Sequence, residues 1–403
     1  MKPLEGIRVI EVAAWTFVPA AGAVLAEWGA EVLKIETPEG GDPQRGLVSS
    51  GLVPAGPGGA NFFVEQPNHG KKSVAINLQS EEGRQALYKL CESADVFLTS
   101  SLANVRRNLK IDVEDIRAVN PDIIYVRGTG QGPNGPDAEV GGYDAAAFYA
   151  RAGVMFQLSG PQNPYGPSQP PAFGDLPGGQ TIAGAISTAL LRRERFGETS
   201  VVDVSLLSFG MWVNAPSIVM SQMFGFQIPP QPREGIPNAL VNRYRTSDDR
   251  LIQLVMLQGA RYWPETITAL GRPDLADDER FATEKSLNEN KDAGMAILDE
   301  IFASMTFEDA KQKLAGVKGV WAPVQSGIEL QDDPQVQANG YIAQVESASG
   351  ETFPLVTNPV QFDEQPNELT RAPDLGEHTD DALRAAGYDD EQIIELKLSG
   401  AIL

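Results

Sequence analysis

GIRVIEVAAWTFVPAAGAVLAEWGAEVLKIE, residues 6–36, reads as strand, helix, strand. Residues 7–12 are β-rich. Pro19 suits the first turn of a helix, where its missing N–H costs nothing. The helix predicted here runs to about Trp28, Gly29 breaks it, and residues 31–35 form the next strand. The pattern then repeats outward. SEEGRQALYKLCESA (80–94) predicts a helix and ADVFLTS (94–100) a strand. IDVEDIRAVN (111–120) predicts a short helix and DIIYVRG (122–128) a strand. Three alternations predict an α/β fold with an open, largely parallel sheet and helices on its faces.

The 403 residues exceed one ordinary core, so two domains are expected. Residues 205–225 predict an apolar helix, and the proline-rich FQIPPQPREGIP (226–237) a linker. YRTSDDRLIQLVML (244–257) predicts a hairpin turning at Ser247-Asp248-Asp249, followed by three helical stretches. Short strands follow Gly319, and EQIIELKLSG (391–400) predicts a terminal helix. The expected organisation is a large α/β domain over 1–225, a linker over 226–237, a smaller α+β domain over 238–318, and a segment over 319–403 that returns to complete the large domain.

Composition narrows the function. The net charge of −22 opposes nucleic acid and anionic membranes, so neither is an expected partner. No apolar run approaches the ~20 residues that span a bilayer. One cysteine and two histidines give no expectation of a disulfide framework or a metal site. MKPLEGIRVIEV has no signal-peptide pattern, which makes the cytoplasm the default expectation.

The glycine-rich run GTGQGPNG (128–135) follows a predicted strand. A dinucleotide fingerprint needs a helix directly after its glycines, so that the helix N-terminus meets the pyrophosphate. Here Pro133, Asn134, Gly135 and Pro136 give turn chemistry instead. The loop 13–18 has no glycine at all. An NAD-dependent hydride-transfer enzyme is therefore disfavoured.

PAFGDLPGGQTIAGAISTALLRRERFGE (171–198) is the most informative segment. A helix is predicted from about Thr181 to Arg195, with an apolar stripe at Ile182, Ile186, Ala189 and Leu190 and a C-cap at Gly197. Asp175 stands before it and is expected to face free N–H groups that keep it ionised. Gly178 and Gly179 are expected to let the backbone approach a bound group and offer donors to an oxyanion. The same pattern fits a capping or turn acid, and the residues alone favour that commoner case. Basic residues cluster at Lys34, Lys71, Lys72, Arg106, Arg107, Lys110 and Arg127. Several follow strands, where open α/β sheets bind ligands, and they can hold phosphates. A solvated face is the simpler reading for Arg106 and Lys110. His69, in NHGKKS, is expected to be a surface or turn residue.

Five segments in order resemble the class III CoA transferases, which include formyl-CoA transferase and the carnitine-related and bile-acid-inducible transferases. They are residues 6–46, NHGKKSVAINL (68–78), GGYDAAAFYARAG (141–153), PAFGD with the segment after it (171–206), and LGEHTDDAL (375–383). The resemblance implies a Rossmann-like large domain in an interlocked homodimer. It implies an acyl-CoA:carboxylate CoA transferase whose substrates are an acyl-CoA and a carboxylic acid acceptor, with no cofactor beyond CoA. It makes Asp175 the nucleophile, working through an aspartyl mixed anhydride and then an aspartyl-CoA thioester. It places Trp15, Thr16 and Phe17 on the thioester-side loop, and Lys72, Arg107 and Arg127 at CoA-binding positions. Thr37 and Leu47 depart from formyl-CoA transferase, which has an arginine and a tryptophan there, and this argues against formate and oxalate. FYARAGVMF (148–156) is expected to make the acyl pocket apolar. An acyl-CoA racemase of the same superfamily is one alternative, although Tyr143 stands where racemases carry a histidine base. A non-catalytic CoA-binding protein is the other.

Overall fold

The computed structural model describes residues 2–160, 163 and 165–403. The chain divides into two compact units, one of Met1–Leu158, Pro167–Ile228 and Pro334–Leu403, the other of Ser159–Gly166 and Pro229–Asp333.

The larger unit is built on a six-stranded sheet: β1 (Arg8–Val12), β2 (Glu31–Glu36), β3 (Lys72–Ala75), β4 (Val96–Thr99), β5 (Ile124–Thr129) and β6 (Val201–Ser205). Their order is β3-β2-β1-β4-β5-β6, and every pairing is parallel. This is the α/β sheet that the alternation predicts. Because strand side chains alternate, the sheet feeds two cores. Val9, Val32, Val96, Leu98 and Val126 pack on one face with α1 (Phe17–Glu27). Ile10, Leu33, Ile35, Phe97 and Tyr125 pack on the other with α2 (Glu81–Cys91). α1 ends at Trp28, and Gly29 follows at φ +101°, a conformation that favours glycine. Ser80 caps α2, its hydroxyl accepting from Gly83 N.

The topology reverses between β1 and β4, the point at which open sheets of this kind form a ligand crevice beyond their carboxyl ends. The loop 13–16 leaves β1 there, and α3 (Ala103–Leu109) follows β4. The next long helix is α4 (Asp175–Phe196), which begins six residues before the predicted Thr181. The apolar stretch after β6 is two helices, α5 (Leu206–Val213) and α6 (Ala215–Phe224), meeting at Asn214. The chain end returns to the larger unit: Ile402 bridges to Ile76, while Leu383 and Ile393 join the second core.

The smaller unit holds an antiparallel sheet of β7 (Arg243–Arg245), β8 (Leu251–Leu254) and β9 (Trp321–Pro323), with Asp249 at φ +59° in the hairpin turn. Trp263, Phe281, Tyr244 and Phe302 fill its core. β9 lies in the stretch read as the start of the return segment, but its hydrogen-bond ladder is with β8. Among the described residues, no helix is long and apolar enough to cross a membrane.

Candidate active site

The loop 13–16 is held from beneath by buried charge. Lys34 is fully buried, and its Nζ donates to Ala13 O at 2.8 Å, to Asp42 Oδ2 at 3.0 Å and to Glu11 Oε1 at 3.3 Å. Asp42 Oδ1 accepts from Trp15 N at 3.3 Å and from Gln44 N at 3.0 Å, while the Gln44 amide lies 3.0 Å from Thr16 Oγ1. Ala14 N donates to Ser100 Oγ at 3.1 Å, tying the loop to the end of β4. These bonds hold Trp15 at φ +67°, a conformation that costs a bulky residue roughly 1–3 kcal/mol. Its ring is partly exposed and meets Tyr143 edge-on, with centroids 5.4 Å apart.

Asp175 is the first residue of α4 rather than a turn acid ahead of a later helix. Gly174 N and Asp175 N donate to Asp144 Oδ2, at 2.9 and 3.4 Å. The free donors of the helix end are thus engaged by a second, buried carboxylate. Asp175 is not held ionised by them, as the sequence suggested. Burial first, and then the Asp144 charge, push its carboxyl up to about 7. Gly178 and Gly179 meet the neighbouring helix. A Cβ on Gly178 would lie 2.6 Å from the Phe17 ring, and one on Gly179 2.5 Å from Ala20 Cβ. They let α4 lie close against α1, whose first residue, Phe17, directly follows the loop that carries Trp15 and Thr16. Thr16 and Phe17 are buried, and Trp15 is the accessible member of the three.

The basic cluster disperses. Lys71, like Lys34, is buried: its Nζ contacts both Glu11 oxygens at 2.9 and 2.8 Å, and burial pulls its ammonium down to about 8. Lys72 opens β3 at the amino edge of the sheet, opposite the edge from which loop 13–16 leaves, and pairs with Glu31 at 2.6 Å. The structure therefore does not bring it to that loop. Arg127 forms a two-bond fork with Asp203 of β6, both bonds 2.7 Å. Arg107, on α3, keeps an exposed guanidinium 3.0 Å from Glu139. Arg106 is buried and bonded to Asp112 and Ser101 O, so it is no solvated residue. His69 stands in a turn, one of the two expected settings, but it is buried, 2.8 Å from Glu27, rather than at the surface.

A cleft of about 540 Å³ lies at the carboxyl ends of β1, β2 and β3, lined by Val12, Glu36, Thr37, Asn77, Gln79 and Leu109. Near Asp175 the accessible aromatics are Trp15, Tyr143 and Phe173. Phe148 and Tyr149, expected in the acyl pocket, are core residues, and Tyr149 Oη donates to Pro167 O. The sequence reading missed Asp144, Asp42 and Gln44. The GYD segment drew attention to Tyr143, and nothing local marks its neighbouring acid as buried.

Comparison with known proteins agrees with this architecture. The pattern described as CoA-transferase family III matches residues 4–379. The chain is 30% identical over 396 residues to the cinnamoyl-CoA:phenyllactate CoA-transferase of Clostridium sporogenes, covering 98% of this chain and 95% of that one. It is 31% identical over 401 residues to the (R)-2-hydroxy-4-methylpentanoate CoA-transferase of Clostridioides difficile, covering 99% of each. The crystal structure of a CAIB/BAIF family protein from Brucella suis superposes with a TM-score of 0.81 at 28% identity, over 95% of this chain and 99% of that one. With nearly the whole chain inside the family pattern and one fold shared end to end, this protein belongs to CoA-transferase family III.

Proposed function

We propose that the protein moves CoA from an acyl-CoA to a free carboxylic acid with Asp175 as covalent nucleophile. The observation that carries this is the setting of Asp175: a largely buried carboxyl at the start of α4, pushed up to about 7, its backbone bonded to Asp144, whose neighbour Tyr143 meets the ring of Trp15. A carboxylate poorly stabilised by its surroundings is a stronger nucleophile than a solvated one. It attacks the thioester carbonyl, the C–S bond breaks, and CoA leaves as the thiolate. The thiolate attacks the aspartyl carbonyl of the mixed anhydride, releasing the first acid and leaving an aspartyl-CoA thioester. The acceptor acid then reverses the two steps.

For CoA, the cleft at Val12, Thr37 and Asn77 offers a volume suited to its nucleotide end, and the exposed guanidinium of Arg107 is free to exchange Glu139 for a phosphate. Loop 13–16 then lines the thioester end. Arg127 and Lys72 act at most indirectly, through Asp203 and Glu31. For the acyl group, the accessible Trp15, Tyr143 and Phe173 favour a medium-sized or aromatic apolar acid. The names of the two clostridial relatives, which act on aryl and branched-chain acids, support that class. The working assembly is a homodimer, and the location is cytoplasmic.

The test is a panel of acyl-CoAs and acids read by mass spectrometry, with chiral 2-methylacyl-CoA in deuterated water beside it. CoA exchange that requires an acceptor, without deuterium at the α-carbon, is the expected result. Rapid α-deuteration without acceptor would make the protein a racemase. CoA binding with neither reaction would make it a non-catalytic binder.

A further inference from the structure

The buried acid next to the nucleophile has no place in the transfer steps, yet the chain goes to some length to hold it. Asp144 is 4% exposed. Its Oδ2 takes Gly174 N and Asp175 N, and Gln169 Nε2 donates to its Oδ1. It immediately precedes a π-helix, Ala145–Arg151, an uncommon element that often marks functional sites. Phe148 of that π-helix is packed against Gly174, where a Cβ would lie 2.4 Å from the ring. The backbone of Asp175 is therefore pinned between Asp144 and Phe148.

We propose that Asp144 is the positioning residue of the nucleophile: it takes the N–H groups that begin α4, so the favourable end of the helix stabilises Asp144 and leaves Asp175 the less stabilised, more reactive carboxylate. This rests on Asp175 being the nucleophile. Around the first turns of α4 the close neighbours are uncharged: the π-helix presents Phe148 to Gly174, α1 presents Phe17 to Gly178 and Ala20 to Gly179, and α5 presents Phe209 to Gly178. The charge acting on Asp175 is that of Asp144. Attack on the thioester turns the Asp175 carboxylate into a neutral anhydride, and the negative charge departs on the thiolate. Repulsion between the two acids is thus present before the attack and relieved by it, which lowers the barrier.

The experiment follows single-turnover formation of the Asp175 adduct, trapped with borohydride, from about pH 5 to about pH 9. Asp144→Asn keeps an acceptor for the helix end but removes the charge. Asp144→Ser does the same with a smaller cap and serves if the first variant does not fold. With its carboxyl pushed up to about 7, the wild type at pH 6 is expected to run at roughly a tenth of its plateau rate. Both variants are expected to shift that limb to lower pH and to lower the plateau, with KM for acyl-CoA little changed. An unshifted limb in a folded variant overturns the proposal. Absence of any Asp175 adduct in the wild type overturns the nucleophile itself, a separate outcome.

Discussion

A carboxyl whose proton is held more tightly in the fold than in the open chain works against folding, and Asp175 is such a group. Its folded value is about 7 against an ordinary 3.8. Below 3.8 both states are protonated and the group is neutral towards stability. Above 3.8 the unfolded chain ionises first, and the penalty grows until pH passes about 7. Asp175→Asn is therefore expected to abolish transfer while raising stability at pH 8 by on the order of 1–3 kcal/mol. Thermal unfolding across pH checks this: the gain should shrink on acidification and vanish near pH 4. Unchanged activity in the variant would remove Asp175 from the chemistry. The type and place of this acid were legible in the sequence. Its ionisation was not, because that depends first on burial by packing and then on Asp144, 31 residues earlier in the chain.

Between elements, the α1–α4 contact positions the site, and two glycines of α4 make opposite predictions. A Cβ on Gly179 would sit 2.5 Å from Ala20 Cβ and 2.9 Å from Phe17 O and Ala21 N, backbone atoms that cannot turn aside. Gly179→Ala should cost about 1–3 kcal/mol and raise KM for acyl-CoA by moving loop 13–16. Gly184, in the same helix, faces open space. Gly184→Ala should stabilise by about 0.5–1 kcal/mol through helix propensity alone, with activity kept. Urea unfolding of the two variants separates packing from propensity. A gain in both would mean that the helices tolerate a wider spacing. The same contact explains the early start of α4. Asp-Leu-Pro-Gly-Gly reads locally as a turn, but packing against α1 holds it helical despite its poor propensity.

On the scale of the molecule, α5 and α6 leave Trp212, Met223 and Phe224 largely exposed, an apolar surface suited to a second copy of the chain. Sedimentation should give a dimer that persists on dilution to nanomolar concentration, and Trp212→Glu with Met223→Glu should weaken it. A monomer at micromolar concentration would contradict this. The buried charges set an acid limit. Burial pushes the Glu36 carboxyl up, but Arg45, Lys34 and Ser73 outweigh it and hold it at about 2. Its folded value is depressed below the ordinary 4.5, so it stabilises the fold above that pH and the contribution is lost as pH falls towards 2. Glu36→Gln should lower stability at neutral pH and flatten this acid limb in thermal unfolding.

The sequence by itself determined the α/β alternation, the class of sheet, the family and the acid at position 175. These follow from local signals: strand and helix periodicity, the break at Gly29, and motifs whose residues are adjacent in the chain. Tertiary structure alone decided which charges face water. Lys34, Lys71 and Lys72 look alike in the sequence, yet the first two are buried on Glu11 and the third lies exposed at the far edge of the sheet. Burial and ion pairing depend on groups brought together from distant segments, so the residues that brace Trp15 and tune Asp175 became visible only when the sheet and the α1–α4 contact placed them side by side.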